Sequence, residues 1–171
     1  MTAKILVVTL AASLLTLSGC ALSKGTIKDS PRLESSNIQI PPMSKLTPRE
    51  MSLVFVDNRA PEFRQYSAEI KAEVTRALTL ALGRQNIELK SNAPNVLTLA
   101  VQDFKTEKFQ EGCVQLNATL AVKKGKANAS SNSCMEFNTF GRKVGADIGA
   151  AYEAALTEVF KGLDSGLEQM P

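Results

Sequence analysis

The chain has 171 residues, a formal net charge of +3, and neither histidine nor tryptophan. A charge so close to balance does not point to nucleic acid. Without histidine, metal sites and nucleophilic or acid–base catalysis lose their usual residue, so no cofactor, metal or enzymatic activity is expected.

In chain order, Lys4 is followed by an apolar run from Ile5 to Leu17. As a helix these 13 residues reach roughly 20 Å, short of the bilayer's hydrocarbon core of about 30 Å. A positive start, a short apolar middle and a small-residue end predict an export signal peptide over residues 1–19; the plainer alternative is a buried core helix. The run closes on Leu17-Ser18-Gly19-Cys20, which resembles the lipobox of bacterial lipoproteins. The resemblance implies that the Cys20 thiol takes a diacylglycerol, that cleavage leaves Cys20 as the first mature residue, and that its amine is acylated in turn, palmitate being among the chains. Each buried CH₂ contributes about 0.8 kcal/mol, so one chain holds marginally whereas two or three anchor effectively for good. Ala21 stands where, by the same resemblance, an aspartate would retain the protein in the inner membrane; this implies the outer membrane, with the body facing the periplasm.

Removing 19 of 171 residues leaves 152, with a net charge of +2 once Lys4 is gone. Residues 20–49 are rich in Ser, Pro and Lys, show little periodicity, and contain Pro41, Pro42 and Pro48. They are predicted to be the lipidated N-terminus and a flexible tether, with Ile38–Ile40 docking as an edge strand. Residues 50–171 are left for one domain with one core.

Within that domain Met51–Asp57 reads as a buried strand, ending in Asp57-Asn58-Arg59, turn chemistry that most simply closes an Asx turn. From about Glu62 to Gln85 the apolar period becomes helical through Phe63, Tyr66, Ile70, Val74, Ala77, Leu78 and Ala81, with Asn86 as a left-handed cap. Ile87–Leu89 leads into a loop at Ser91–Pro94, and Val96–Phe104 is a second apolar strand. Cys113–Lys123 alternates cleanly, with Val114, Leu116, Ala118, Leu120 and Val122 on one face. Lys124-Gly125 is the expected hairpin turn. Ser131–Phe140 alternates again, with Met135 and Phe137 inward, and Val144–Leu167 is a closing amphipathic helix. The order β-α-β-β-β-α predicts an α+β domain: a mostly antiparallel four-stranded sheet with two helices packed on one face.

Cys113 and Cys134 both share parity with polar neighbours. Pairing 113 with 134 also sets 115 against 132 and puts the turn at 122–125. Opposed residues have Cα atoms about 4.5–5.5 Å apart, which admits a cross-strand disulfide on the open face. A redox pair of free thiols is the rival reading, but the C-x-x-C spacing is missing.

Lys123, Lys124 and Lys126 crowd the hairpin turn. Plain solubility explains them; the sharper reading is contact with anionic groups such as lipid phosphates. Arg142-Lys143 falls at the other end of the strand. Asn117-Ala-Thr119 and Asn128-Ala-Ser130 match glycan acceptors that carry no meaning in an ordinary bacterial lipoprotein. Gly141 and Gly145 lack the rest of a phosphate-loop pattern.

The lipobox, the tether, a strand ending in VDNR, the helix leading into NIEL, NVLTLAVQDF, a long hairpin and a closing helix together resemble the YajG-like bacterial lipoproteins over about residues 15–167. The paired cysteines depart from that pattern. The resemblance implies an envelope protein without established enzymatic activity. Two functions remain open: a non-catalytic lipoprotein that binds an envelope protein partner through the open sheet face or an edge strand, or a lipid- or glycolipid-binding module with a cleft near the lysine turn.

Overall fold

The computed structural model describes residues 31–171 except 62, 63, 65, 109–110 and 137–143, and leaves out the side chains of 103–108, 111–112 and 144–147. The signal peptide, Cys20, Phe63, Phe137 and the Arg142-Lys143 pair therefore lie outside the described residues. A 3-10 turn at Ser35–Asn37 precedes β1 (Glu50–Asp57), α1 (Ser67–Gly83), β2 (Glu88–Leu89), β3 (Asn95–Lys108), β4 (Glu111–Val122), β5 (Gly125–Glu136) and α2 (Val144–Glu168).

The sheet has five strands in the order β2-β1-β3-β4-β5. β1 is parallel to both β2 and β3, whereas β3–β4 and β4–β5 are antiparallel. The sheet is thus mixed and five-stranded, not four-stranded and mostly antiparallel. Two physical reasons account for the difference. Parallel neighbours need a long crossover, and α1 supplies it between β1 and β3. Polarity alternation, moreover, reports which face of a strand is buried and carries no information about the direction of its neighbour. β2 is two residues long, too short to show any period.

The helical stripes bury as expected: Ile70, Val74, Ala77, Leu78 and Ala81 on α1, and Ile148, Tyr152, Ala155, Leu156, Val159, Phe160, Leu163 and Leu167 on α2. α1 starts at Ser67, later than its apolar period suggested. It ends in a Schellman cap, with Ile87 N–H donating to Leu82 C=O at 3.0 Å and Asn86 N–H to Gly83 C=O at 3.0 Å. Asn86 sits at φ 55°, the left-handed conformation that the cap requires. α2 lies so close to β5 that a Cβ on Gly162 would stand 2.8 Å from the Ala129 Cβ, and one on Gly166 2.9 Å from the Ala127 Cβ.

The hairpin turn is Lys123-Lys124, one residue earlier than expected, with Val122 paired to Gly125. β5 accordingly begins at Gly125, not Ser131. Its first residues are small and polar and alternate too weakly to announce a strand; pairing to β4 fixes them. Met135, expected inward, is 37% exposed at the far end of this strand.

The largest correction concerns residues 31–49. They do not form a flexible tether, and Ile38–Ile40 is not a strand. Leu33, Ile38, Ile40, Met43 and Leu46 are all buried in the common core. Side chains of both helices satisfy the segment's backbone. Leu33 N–H donates to Glu73 Oε1 of α1 at 2.8 Å, and Leu33 C=O accepts from Arg76 Nη2 at 2.5 Å. From α2, Glu153 accepts Glu34 N–H at 2.5 Å and Asn37 Nδ2 at 2.8 Å, while Thr157 Oγ1 accepts Gln39 N–H at 3.0 Å. Arg49 Nη2 then ties Pro42 C=O to Gln85 C=O beyond the end of α1. The segment is a strap bonded to both helices. Its apolar residues follow no period because the strap forms no regular element, so the sequence pattern concealed it.

Candidate functional site

Three places carry unusual chemistry, and the fold keeps them apart. The first is the turn after β1. Arg59 grips Asp57 in a two-pronged bond, Nε to Oδ1 at 2.8 Å and Nη2 to Oδ2 at 2.6 Å, and both side chains are less than a tenth exposed. Arg59 N–H also donates to Asp57 Oδ1 at 3.1 Å, which is the Asx turn read from the sequence. Burial works against the charge on Asp57, but the hydrogen bonds from Arg59 and Ser67 outweigh it and hold the carboxyl below its ordinary value. Burial likewise opposes the charge on Arg59, and the bond to Asp57 overcomes it, so the guanidinium stays charged. Beside the pair, burial pushes the Tyr152 phenol up to about 12, and its hydroxyl has no hydrogen-bond partner among the described residues. A carboxylate fully occupied by a guanidinium is neither a free base nor a nucleophile; the geometry suits a latch that closes this end of the sheet.

The second place is the hairpin turn. Lys123 and Lys124 line a groove of about 410 Å³ together with Ser44, Lys45 and Thr47 of the strap, Val122, Leu167 of α2, and Met170 and Pro171 beyond its end. Lys124 Nζ lies 3.4 Å from the Pro171 carbonyl oxygen, and Ser44 Oγ donates to Glu168 Oε1 at 2.9 Å. Of the three lysines named from the sequence, the structure gathers two here and replaces the third. Lys126 pairs with Ala121 and stands on the open face of the sheet. Lys45, nearly eighty residues away along the chain, takes its place at the groove through the folding of the strap. No local signal could have joined it to the turn.

The third place is the sheet face opposite the helices. In register across it run Ser52, Val96, Ala121 and Lys126; then Val54, Thr98, Thr119 and Asn128; then Val56, Ala100, Asn117 and Ser130. These three rows are built mostly of small side chains and carry one charge, that of Lys126. Val54 is 46% exposed. Further along, Cys113 and Cys134 are directly opposed and joined, Sγ to Sγ 2.04 Å, with Cα atoms 3.9 Å apart, closer than the sequence geometry suggested. Cys113 on the inner strand is buried whereas Cys134 on the outer strand is exposed.

Among the described residues no group of three acidic or cysteine side chains is placed to hold a metal ion, and no helix is long and apolar enough to cross a membrane.

No family model matches the chain, and no curated protein matches it, so the YajG-like resemblance finds no family match. Among solved structures it is similar to the PelC dodecamer from Paraburkholderia phytofirmans, at 15% identity and TM-score 0.42, over 79% of this chain and 94% of that one. A leucine-to-methionine variant of the same dodecamer gives 16% identity and TM-score 0.42 over 80% and 92%. The lipoprotein GNA1162 from Neisseria meningitidis gives 14% identity and TM-score 0.32 over 68% of this chain and 99% of that one.

Proposed function

We propose that the protein is a bacterial lipoprotein held on the outer membrane by acyl chains on Cys20, facing the periplasm and acting by binding an envelope protein instead of by catalysis. The observation that carries the reading is Leu17-Ser18-Gly19-Cys20 closing a short apolar run behind Lys4. The disulfide between Cys113 and Cys134 suits an exported protein, since such bonds persist outside the cytosol. The strap sharpens the geometry. The chain is already packed at Leu33, so Cys20 lies 13 residues from the core, fewer than a tether reaching residue 49 would span. At most about 3.5 Å per residue, this link keeps the domain within roughly 45 Å of the anchoring point. The small-residue rows of the open sheet face are the surface offered to the partner. Metabolic labelling with palmitate tests the anchor: the wild-type chain should incorporate label and fractionate with the outer membrane, and Cys20→Ser should do neither. An unlabelled wild-type chain would sink the reading.

The groove favours a second reading, a lipid- or glycolipid-binding module. Lys45, Lys123 and Lys124 set ammonium groups beside the apolar surfaces of Val122, Leu167 and Met170, which fits a ligand with an anionic head and a greasy body. Extraction of the purified chain should then yield a stoichiometric anionic lipid, lost on Lys123→Ser with Lys124→Ser. A lipid-free wild-type protein excludes this reading and leaves the first intact.

A further inference from the structure

The two edges of the sheet are treated very differently. At one edge, β2 has two residues, and Lys90 Nζ bridges Glu50 at 2.8 Å and Glu88 at 3.0 Å beside it. A short edge studded with charge is a usual guard against strand addition. At the other edge, β5 has 12 residues, no proline, and no shift in its register with β4, although β3 and β4 show two shifts between them. Its only charged residues are Lys126 near the start and Glu136 at the end.

Which backbone groups this edge offers follows from the hairpin. A two-residue turn closed by Val122 and Gly125 makes that pair a hydrogen-bonded one, and the alternation along an antiparallel ladder does the rest. The N–H and C=O of Lys126, Asn128, Ser130, Asn132, Cys134 and Glu136 point away from β4. The 3.9 Å between the Cα atoms of Cys113 and Cys134 agrees, since pairs without hydrogen bonds are the closer kind. The edge is also held in shape. The disulfide fixes it to β4 near one end, the turn fixes it at the other, and Thr119 Oγ1 donates to Asn128 Oδ1 at 2.8 Å between them. A strand ordered beforehand loses little freedom on pairing.

We infer that β5 is a self-complementary edge on which a second copy of this chain pairs antiparallel, joining two sheets into one. The register is set by charge. With Ser131 on the two-fold axis, Lys126 of each copy faces Glu136 of the other, Asn128 faces Cys134, and Ser130 faces Asn132. All of these residues carry the outward backbone groups, so every cross-copy pair is of the hydrogen-bonded kind. All share the open face, so the two open faces become one. α2 runs beside β5, with Gly162 near Ala129 and Gly166 near Ala127, so the two α2 helices become antiparallel neighbours. The exposed side of α2 presents Ala154, Glu158, Lys161 and Ser165, which are small or of both signs and do not repel their like.

This inference does not rest on the anchoring reading, and the test separates the two. The full chain in density-matched detergent is followed by sedimentation equilibrium, alongside Cys20→Ser, Lys126→Glu, Glu136→Lys and the double swap, with circular dichroism confirming that each is folded. Wild type and Cys20→Ser should dimerise equally. Each single swap sets like charges opposite one another at both ends of the interface and should weaken the dimer about tenfold. The double swap should restore it. A further variant, Ser130→Pro, removes one outward N–H without touching the pairing to β4 and should also weaken the dimer. A monomeric wild type overturns the inference. So does a dimer in which the double swap is no tighter than the singles, or one indifferent to Ser130→Pro.

Discussion

Ile38→Ala separates the strap from a tether. Ile38 is 1% exposed and belongs to the common core although it lies outside every helix and strand. The substitution removes three carbons. At about 0.8 kcal/mol for each, the lost transfer energy is roughly 2.4 kcal/mol, and the cavity left in the core raises the total to about 3–4 kcal/mol. For a domain of this size that corresponds to a fall in Tm of about 10 °C. The assay is urea and thermal unfolding of the full chain, with Ser36→Ala as the control, because Ser36 is exposed two residues earlier. The control should stay within about 0.5 kcal/mol of wild type, as exposed positions do. If Ile38→Ala also stayed within that margin, the packing of residues 31–49 and the short reach to the membrane would both be wrong.

Arg59→Met should destabilise by about 3–5 kcal/mol by leaving Asp57 buried and unpaired, whereas Arg59→Met combined with Asp57→Leu should recover most of the loss in equilibrium unfolding. The pair also sets an acid limit. The folded Asp57 carboxyl lies below its ordinary value of 3.8, so its contribution is complete above that value and is lost as pH falls through the lower, folded value. Glu73, held low first by its bond from Arg76, contributes in the same direction. Asp164, raised by burial and by Glu168, opposes them, since its protonation favours the fold. Asp57→Asn should therefore flatten the decline in stability measured below about pH 4, and an unchanged slope would remove the pair from the account. Reduction of the disulfide, which spans 21 residues, should cost about 3 kcal/mol in denaturant melts and leave β4 and β5 paired; no change would mean that the hairpin is fully formed in the unfolded chain.

The local elements were legible because their signals are local. Ile70, Val74 and Leu78 repeat at helical spacing whatever lies opposite them, and Asn86 caps α1 through its own tolerance of a left-handed backbone. The disulfide was legible too, because one hairpin register makes the polar faces of two adjacent strands coincide, and 113 then falls opposite 134. Folding alone decided everything that joins distant parts of the chain. The parallel pairing of β1 with β3 depends on the path of α1 between them. Lys45 reaches Lys123 and Lys124 because the strap runs over the helices, and Lys126 leaves them because the strand pleat turns it to the other face. The strap itself was unreadable for the same reason. Its aperiodic apolar residues find their partners on two helices, and its backbone donors are met by Glu73, Glu153 and Thr157, so what orders it is a surface that exists only once those helices have packed.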